Sequence, residues 1–265
     1  MARAKKAAGY RTTARQPPVR AAAWELHLLR ATTFYRQPSV AVEGLLQRIA
    51  NVQPRVSTNP ASGIHVEQIE NAAANYELLS QQQPLRSDIG IVGGSKVLPQ
   101  FGNVADPTPT FPSFRDAAAV LRPLIEEWCQ SRPDVYRVAV GATFRQLAAD
   151  RDGVAALLSR WIPGINLTGN GVDDFILRIN RPSTVRAGTQ SVPLNRVMTY
   201  SGLVIQLEAM LASAVRVTVP SVKLELDLST DVFREEVIQG RSLSGLFAQL
   251  FDETPLLAER GIPND

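Results

Sequence analysis

Between Val222 and Leu228 apolar and polar residues alternate without exception: Val222, Leu224, Leu226 and Leu228 against Lys223, Glu225 and Asp227. Successive side chains of a strand leave on opposite faces, so this period of two predicts a strand with one buried and one wetted face. Trp24, Leu26 and Leu28 alternate in the same way against Glu25 and His27, predicting a strand over Val19–Leu29. Strands are also expected at Val66–Ile69, Tyr76–Leu79, Ile89–Leu98, Val135–Phe144, Phe175–Ile179, Leu203–Leu207 and Val215–Val219. At the sixth of these pairs of ends the run Leu207–Leu211 competes as a helix.

Helical spacing marks four other segments. Val42, Leu45, Leu46 and Ile49 form an i, i+3, i+4, i+7 stripe behind an N-cap at Ser39. Phe114, Ala118, Leu121, Ile125 and Trp128 line one face of residues 113–131, where Pro123 predicts a kink or break. A third helix, capped by Asp152, uses Val154, Leu157, Leu158 and Trp161. The fourth, capped by Ser242, uses Leu243, Leu246, Phe247 and Leu250, and Thr254-Pro255 reads as a restart with proline at the first helical position.

Pro99, Pro107, Pro109 and Pro112 make an extended connector the one plausible boundary. The predicted fold class is α+β: two similar β-α-β-β-β-α halves, with antiparallel sheets and helices packed on one face. The expected organisation is a disordered basic arm at 1–18, an N-terminal half at 19–104 and a C-terminal half at 105–262, the halves forming one continuous structure.

Charge separates the arm from the body. Residues 1–36 hold eight Lys and Arg against Glu25 alone, a net +7. The whole chain is +3, which leaves −4 for the remainder. Arg3, Lys5, Lys6, Arg11 and Arg15 are therefore candidate partner-binding residues, since an unstructured basic arm follows phosphates or acidic surfaces by charge alone. No apolar run is long enough to span a bilayer, and one cysteine permits no internal disulfide. Both point to a cytoplasmic protein with no membrane partner.

The motif search finds no catalytic, cofactor or metal set. In Gly90-Ile91-Val92-Gly93-Gly94-Ser95-Lys96, Ser95 stands where a phosphate-binding Walker loop needs glycine, so a glycine-rich turn is expected. Gly240-Arg241-Ser242-Leu243-Ser244 is not a nucleophile elbow, which needs glycine two places on each side of its serine, where Ser244 stands on one. His27, His65 and Cys129 have no metal-ligand spacing, and Cys129 sits beside Trp128 on an apolar face, where a buried thiol is expected. Glu225, Asp227 and Asp231 form an acidic strand face, the remaining candidate. Arg137, Arg145, Arg178, Arg181, Arg186, Arg196 and Arg216 lie on or near strands, so the acids are expected to pair with cations across a wet sheet face. A divalent metal gathered by the same acids with Asp173 and Asp174 is the competing reading.

Three segments carry a resemblance: Phe111-Pro112-Ser113-Phe114-Arg115, Val135-Tyr136-Arg137-Val138-Ala139-Val140, and Leu224-Glu225-Leu226-Asp227-Leu228-Ser229-Thr230-Asp231. Over roughly residues 105–261 the chain resembles a sporadically distributed, uncharacterised prokaryotic family of about this length. In similar proteins the strand opened by the Tyr-Arg pair ends in an aromatic-Asn pair; here it ends Thr143-Phe144-Arg145. The resemblance carries no catalytic residues, and it implies an accessory gene of a defence or toxin-neutralising kind. The expected function is a non-enzymatic binding or regulatory protein engaging a macromolecule, with a protein partner. Two alternatives stay open: a metal-dependent nucleic-acid-processing enzyme using the Glu225/Asp227 face, and a nucleic-acid-binding protein that uses the arm without catalysis.

Overall fold

The computed structural model describes residues 24–71, 76–93, 111, 113–130, 132, 134–167, 174–208, 216–233, 236–238 and 240–261. The arm at 1–18, most of the proline-rich connector, the Gly94-Ser95-Lys96 turn and the competing helix at 209–211 lie outside them.

Ten antiparallel strands form one sheet. Its elements in chain order are β1 (Glu25–Tyr35), α1 (Leu45–Ala50), β2 (Arg55–Asn59), β3 (Ile64–Asn71), β4 (Tyr76–Gln83), β5 (Arg86–Gly93) and α2 (Phe114–Gln130). There follow β6 (Val135–Leu147), α3 (Arg151–Trp161), β7 (Ile176–Asn180), β8 (Ser183–Ala187), β9 (Gln190–Glu208), β10 (Arg216–Thr230) and α4 (Gly240–Arg260). The spatial order is β2-β3-β4-β5-β1-β6-β10-β9-β7, with β8 also paired to β9. Thus β1 and β6 meet at the centre, and each is flanked by the last strand of the meander that follows it, β5 beside β1 and β10 beside β6. The architecture is α+β with a large antiparallel sheet.

Register explains the alternation. Across seven strands Ile69, Leu78, Ile91, Leu29, Ala142, Leu226 and Met198 stand opposite one another, every one buried. This face is the core. α2 packs on β1 and β5, α3 on β9 and β10, α4 on β6, β8 and β10, and α1 on β3, β4 and α2. Leu224 and Leu228 are fully buried between Phe144 or Val140 on one side and Tyr200 or Arg196 on the other. Burying one leucine is worth about 1.5–3 kcal/mol, so the β10 alternation alone commits its register.

Several expected boundaries shift for local reasons. A bulge at His27 changes the phase of β1: Leu26 and Leu29 point into the core, and Leu28 turns to the opposite face. Ser39 is not a helix cap; its hydroxyl accepts from Arg132, and the helix starts at Leu45 behind Gly44. Asp150 caps α3 in place of Asp152, its Oδ1 accepting the Gly153 N–H at 2.7 Å. Pro123 does not break α2, and Pro255 lies inside a continuous α4. Within α4 the buried Thr254 hydroxyl donates to the Leu250 carbonyl at 2.7 Å. β9 runs through Leu207 to Glu208, and β2 and β8 were not anticipated at all. Both are short: β2 is exposed throughout and β8 alternates only weakly, so neither has a strong pattern.

Candidate binding surface: the uncovered face of the sheet

Side chains alternate, so helices on one face leave the other to be lined by the intervening residues. From β3 to β9 one row of that face reads Gln68, Leu79, Gly90, Arg30, Gly141, Asp227 and Val197. The row on one side reads Glu70, Glu77, Val92, Leu28, Thr143, Glu225 and Thr199, continued on β7 by Arg178. On the other side Asp88, Thr32 and Ala139 are followed by Arg86, Phe34 and Arg137. Among the described residues no helix packs on this face.

Arg30 occupies its centre with glycine opposite it on both neighbouring strands. A Cβ at Gly141 would lie 3.5 Å from its Nη2, and one at Gly90 would lie 3.3 Å from the Leu29 carbonyl oxygen. Gly141 thus clears the floor on which the guanidinium lies, and Gly90 leaves room beside the Arg30 backbone. Asp88 ties the strands together: it accepts from the Thr32 hydroxyl at 2.6 Å, pairs with Arg86 at 2.8 Å and lies 3.5 Å from Arg30.

The expected acids stand as follows. Glu225 and Asp227 are both on the uncovered face. Glu225 accepts from Lys223 of its own strand at 2.9 Å. Directly opposite them on β6 are Thr143 and Gly141, while Lys223 faces Arg145, so neither acid has a cation straight across from it on β6. Burial lowers the Arg145 pKa and the nearby Glu225 carboxylate raises it in return. Asp231 is used in a turn: its N–H bonds the Pro193 carbonyl and its Oδ1 accepts from the Phe233 N–H, which ends β10. No group of three His, Cys, Asp or Glu side chains among the described residues is arranged to hold a metal ion. Arg3, Lys5, Lys6, Arg11 and Arg15 lie outside the described residues.

The expected cation set divides. Arg137, Arg145 and Arg178 are on the uncovered face. Arg196 points the other way and pairs with Glu253 of α4 at 2.7 Å, anchoring helix to sheet. Arg30, Phe34, Arg86 and Asp88 were missed. Arg30 lies in the middle of β1 while Arg86 and Asp88 open β5, and only the register of β1 with β5 shows that they share a surface.

Beneath the sheet a buried polar cluster pins α1. Glu67 is fully buried; its carboxylate accepts the N–H groups of Gly44 at 2.5 Å and Leu46 at 2.9 Å, and lies 3.1 Å from His65 Nε2. Arg132, also buried, donates to the Val40 carbonyl at 2.9 Å and to Gln82 Oε1 at 3.0 Å. Its guanidinium carbon lies 4.4 Å from a Trp128 ring centroid and 5.3 Å from that of Tyr35. Burial lowers the Arg132 pKa. Cys129 is buried as expected, and burial pushes its thiol up to about 12, leaving no thiolate for nucleophilic work. A groove of about 670 Å³ runs beside α2, lined by Ala50, Ile69, Tyr76, Leu78, Val120 and Pro123 among others. No helix among the described residues is long and apolar enough to cross a membrane. Compared with family models, curated proteins and solved structures, the chain matches none.

Proposed function

We propose that this is a non-enzymatic binding or regulatory protein that engages a macromolecular partner through the uncovered face of its sheet. One observation carries the reading: among the described residues the helices pack on one side of a wide sheet, and the other side carries charged and aromatic side chains held in register. A face of this kind is wide, and its described residues spread charge over several strands instead of converging it on one point as a small-substrate site does. The matching connectivity around β1 and β6 supports taking the two halves as versions of one unit. The resemblance noted above supports an accessory role in prokaryotic defence or toxin neutralisation, with the protein working in the cytoplasm.

The test places a photo-reactive amino acid at Thr143 or Asn180 on the uncovered face, or at Glu126 on the helical side, and irradiates cells that make the protein. Adducts formed from the first two positions only are the expected result. Adducts from Glu126 alone, or none from any position, defeat the reading. Mn²⁺-dependent cleavage of nucleic acid that is lost in both Glu225→Gln and Asp227→Asn would establish the enzymatic alternative in its place.

A further inference from the structure

Charge on the uncovered face is uneven. Near the end of β1, Phe34 stands between Arg86 on β5 and Arg137 on β6, its direct partners in register. Their guanidinium carbons lie 5.7 and 4.5 Å from the Phe34 ring centroid. The register shift beside Tyr35 leaves Tyr136 as an extra residue of β6, and the Arg36 guanidinium lies 5.9 Å from its ring centroid. Arg30 lies four positions back along β1. Against these four cations the same rows hold two carboxylates: Asp88, which pairs with Arg86 and Arg30, and Asp227, two strands from Arg30 beyond Gly141. Asp134, which precedes β6, acts on Arg132 and Tyr35 at the helical side. Arg36 and Arg137 have no ion pair among the described residues.

We propose that this patch binds single-stranded nucleic acid, a conclusion that rests on the binding reading above and gives it a ligand class. A guanidinium placed over a ring can offer its other face to a base and its N–H edges to phosphate oxygens. From Arg86 to Arg137 is two strand spacings, about 10 Å, and from Phe34 to Arg30 about 13 Å, room for about two or three nucleotides. A duplex fits poorly, because a sheet of this width exceeds the ~12 Å opening of the major groove. An acidic peptide would satisfy the charge but leave the stacking surfaces unused.

The experiment is fluorescence anisotropy of the full chain with labelled oligouridylate and oligothymidylate, titrated across a range of salt. Arg36→Gln/Arg137→Gln should weaken binding about tenfold or more at low salt and flatten the logarithmic salt slope by about 1.4, two phosphate contacts at about 0.7 each. Tyr136→Ala should weaken binding about tenfold with the slope unchanged, because stacking releases no counterions. Urea midpoints within error of wild type show that the variants fold. Oligonucleotides that fail to bind, variants that bind like wild type (the basic arm then carrying the affinity), duplex bound as tightly as single strand, or oligoglutamate displacing the probe equally well each overturn the proposal. If oligonucleotides fail but photo-adducts from Thr143 persist and are lost in the double variant, the binding reading stands and only the ligand class is wrong.

Discussion

Replacing Glu67 by alanine should destabilise the protein by about 3–5 kcal/mol, the scale on which a broken buried charged network is measured. Three donors converge on this fully buried carboxylate: the Gly44 N–H at 2.5 Å, the Leu46 N–H at 2.9 Å and His65 Nε2 at 3.1 Å. With Nε2 protonated, His65 Nδ1 accepts from the Thr58 hydroxyl at 3.2 Å, which extends the chain to edge strand β2. Alanine strands three donors, those of Leu46 and His65 buried and that of Gly44 partly so, at about 1–3 kcal/mol for each buried one before relaxation. Helix α1 has six residues and cannot persist on propensity alone, so its docking depends on this contact. Glu67→Gln keeps one acceptor oxygen but turns an NH₂ toward the donors, and about 2 kcal/mol is expected. Urea denaturation at constant m-value reads both, and amide exchange over Leu45–Ala50 should accelerate in step. A loss under about 1 kcal/mol for Glu67→Ala would refute the premise that this carboxylate holds α1 to the sheet.

Stability should fall in alkali. Burial raises both Cys129 and Tyr200 to about 12, from 9.0 and 10.0. The unfolded chain therefore releases protons first, so stability is fully present below about pH 9 and declines above it, by up to about 1.4 kcal/mol per pH unit for each group. Cys129→Ala should remove the part of that decline between about pH 9 and 10; urea midpoints measured across this range that match wild type in slope would contradict it. Gly202→Leu should cost about 1–3 kcal/mol by overpacking, since a Cβ there already meets Val154 Cγ1 at 3.0 Å and Leu158 Cδ1 at 3.5 Å; thermal unfolding checks it. Thr254→Val should cost about 1 kcal/mol by removing the hydroxyl that serves the Leu250 carbonyl beside Pro255, read from the urea midpoint.

Much of the fold was legible because periodicity is a local property. The β10 alternation named its buried face correctly, since every second residue, Val222, Leu224, Leu226 and Leu228, is buried, and the α2 stripe named Ala118, Leu121, Ile125 and Trp128, all buried. Where local rules failed, a distant group had intervened. Ser39 has the chemistry of a helix cap, but Arg132, 93 residues away, claims its hydroxyl, and Glu67 supplies the acceptor that starts α1. Pro123 has the chemistry of a break, yet the apolar face of α2 continues to Cys129 and holds the helix whole. The bulge at His27 reverses which side of β1 is buried, and nothing in the alternation of Trp24, Leu26 and Leu28 signals it.

The candidate surface was half legible for the same reason. Glu225 and Asp227 could be assigned to a wet face from spacing alone, and Arg137 and Arg145 to a strand. That Phe34 stacks between Arg86 and Arg137 depends on β1 standing between β5 and β6, a choice made by core packing over the whole sheet. By itself, then, the sequence determined element types, the buried side of most strands and the absence of familiar catalytic motifs. Tertiary structure alone decided which strands are neighbours, and hence which charges and rings share a face. Period and propensity act within a few residues, whereas register and strand order minimise the free energy of the entire core at once.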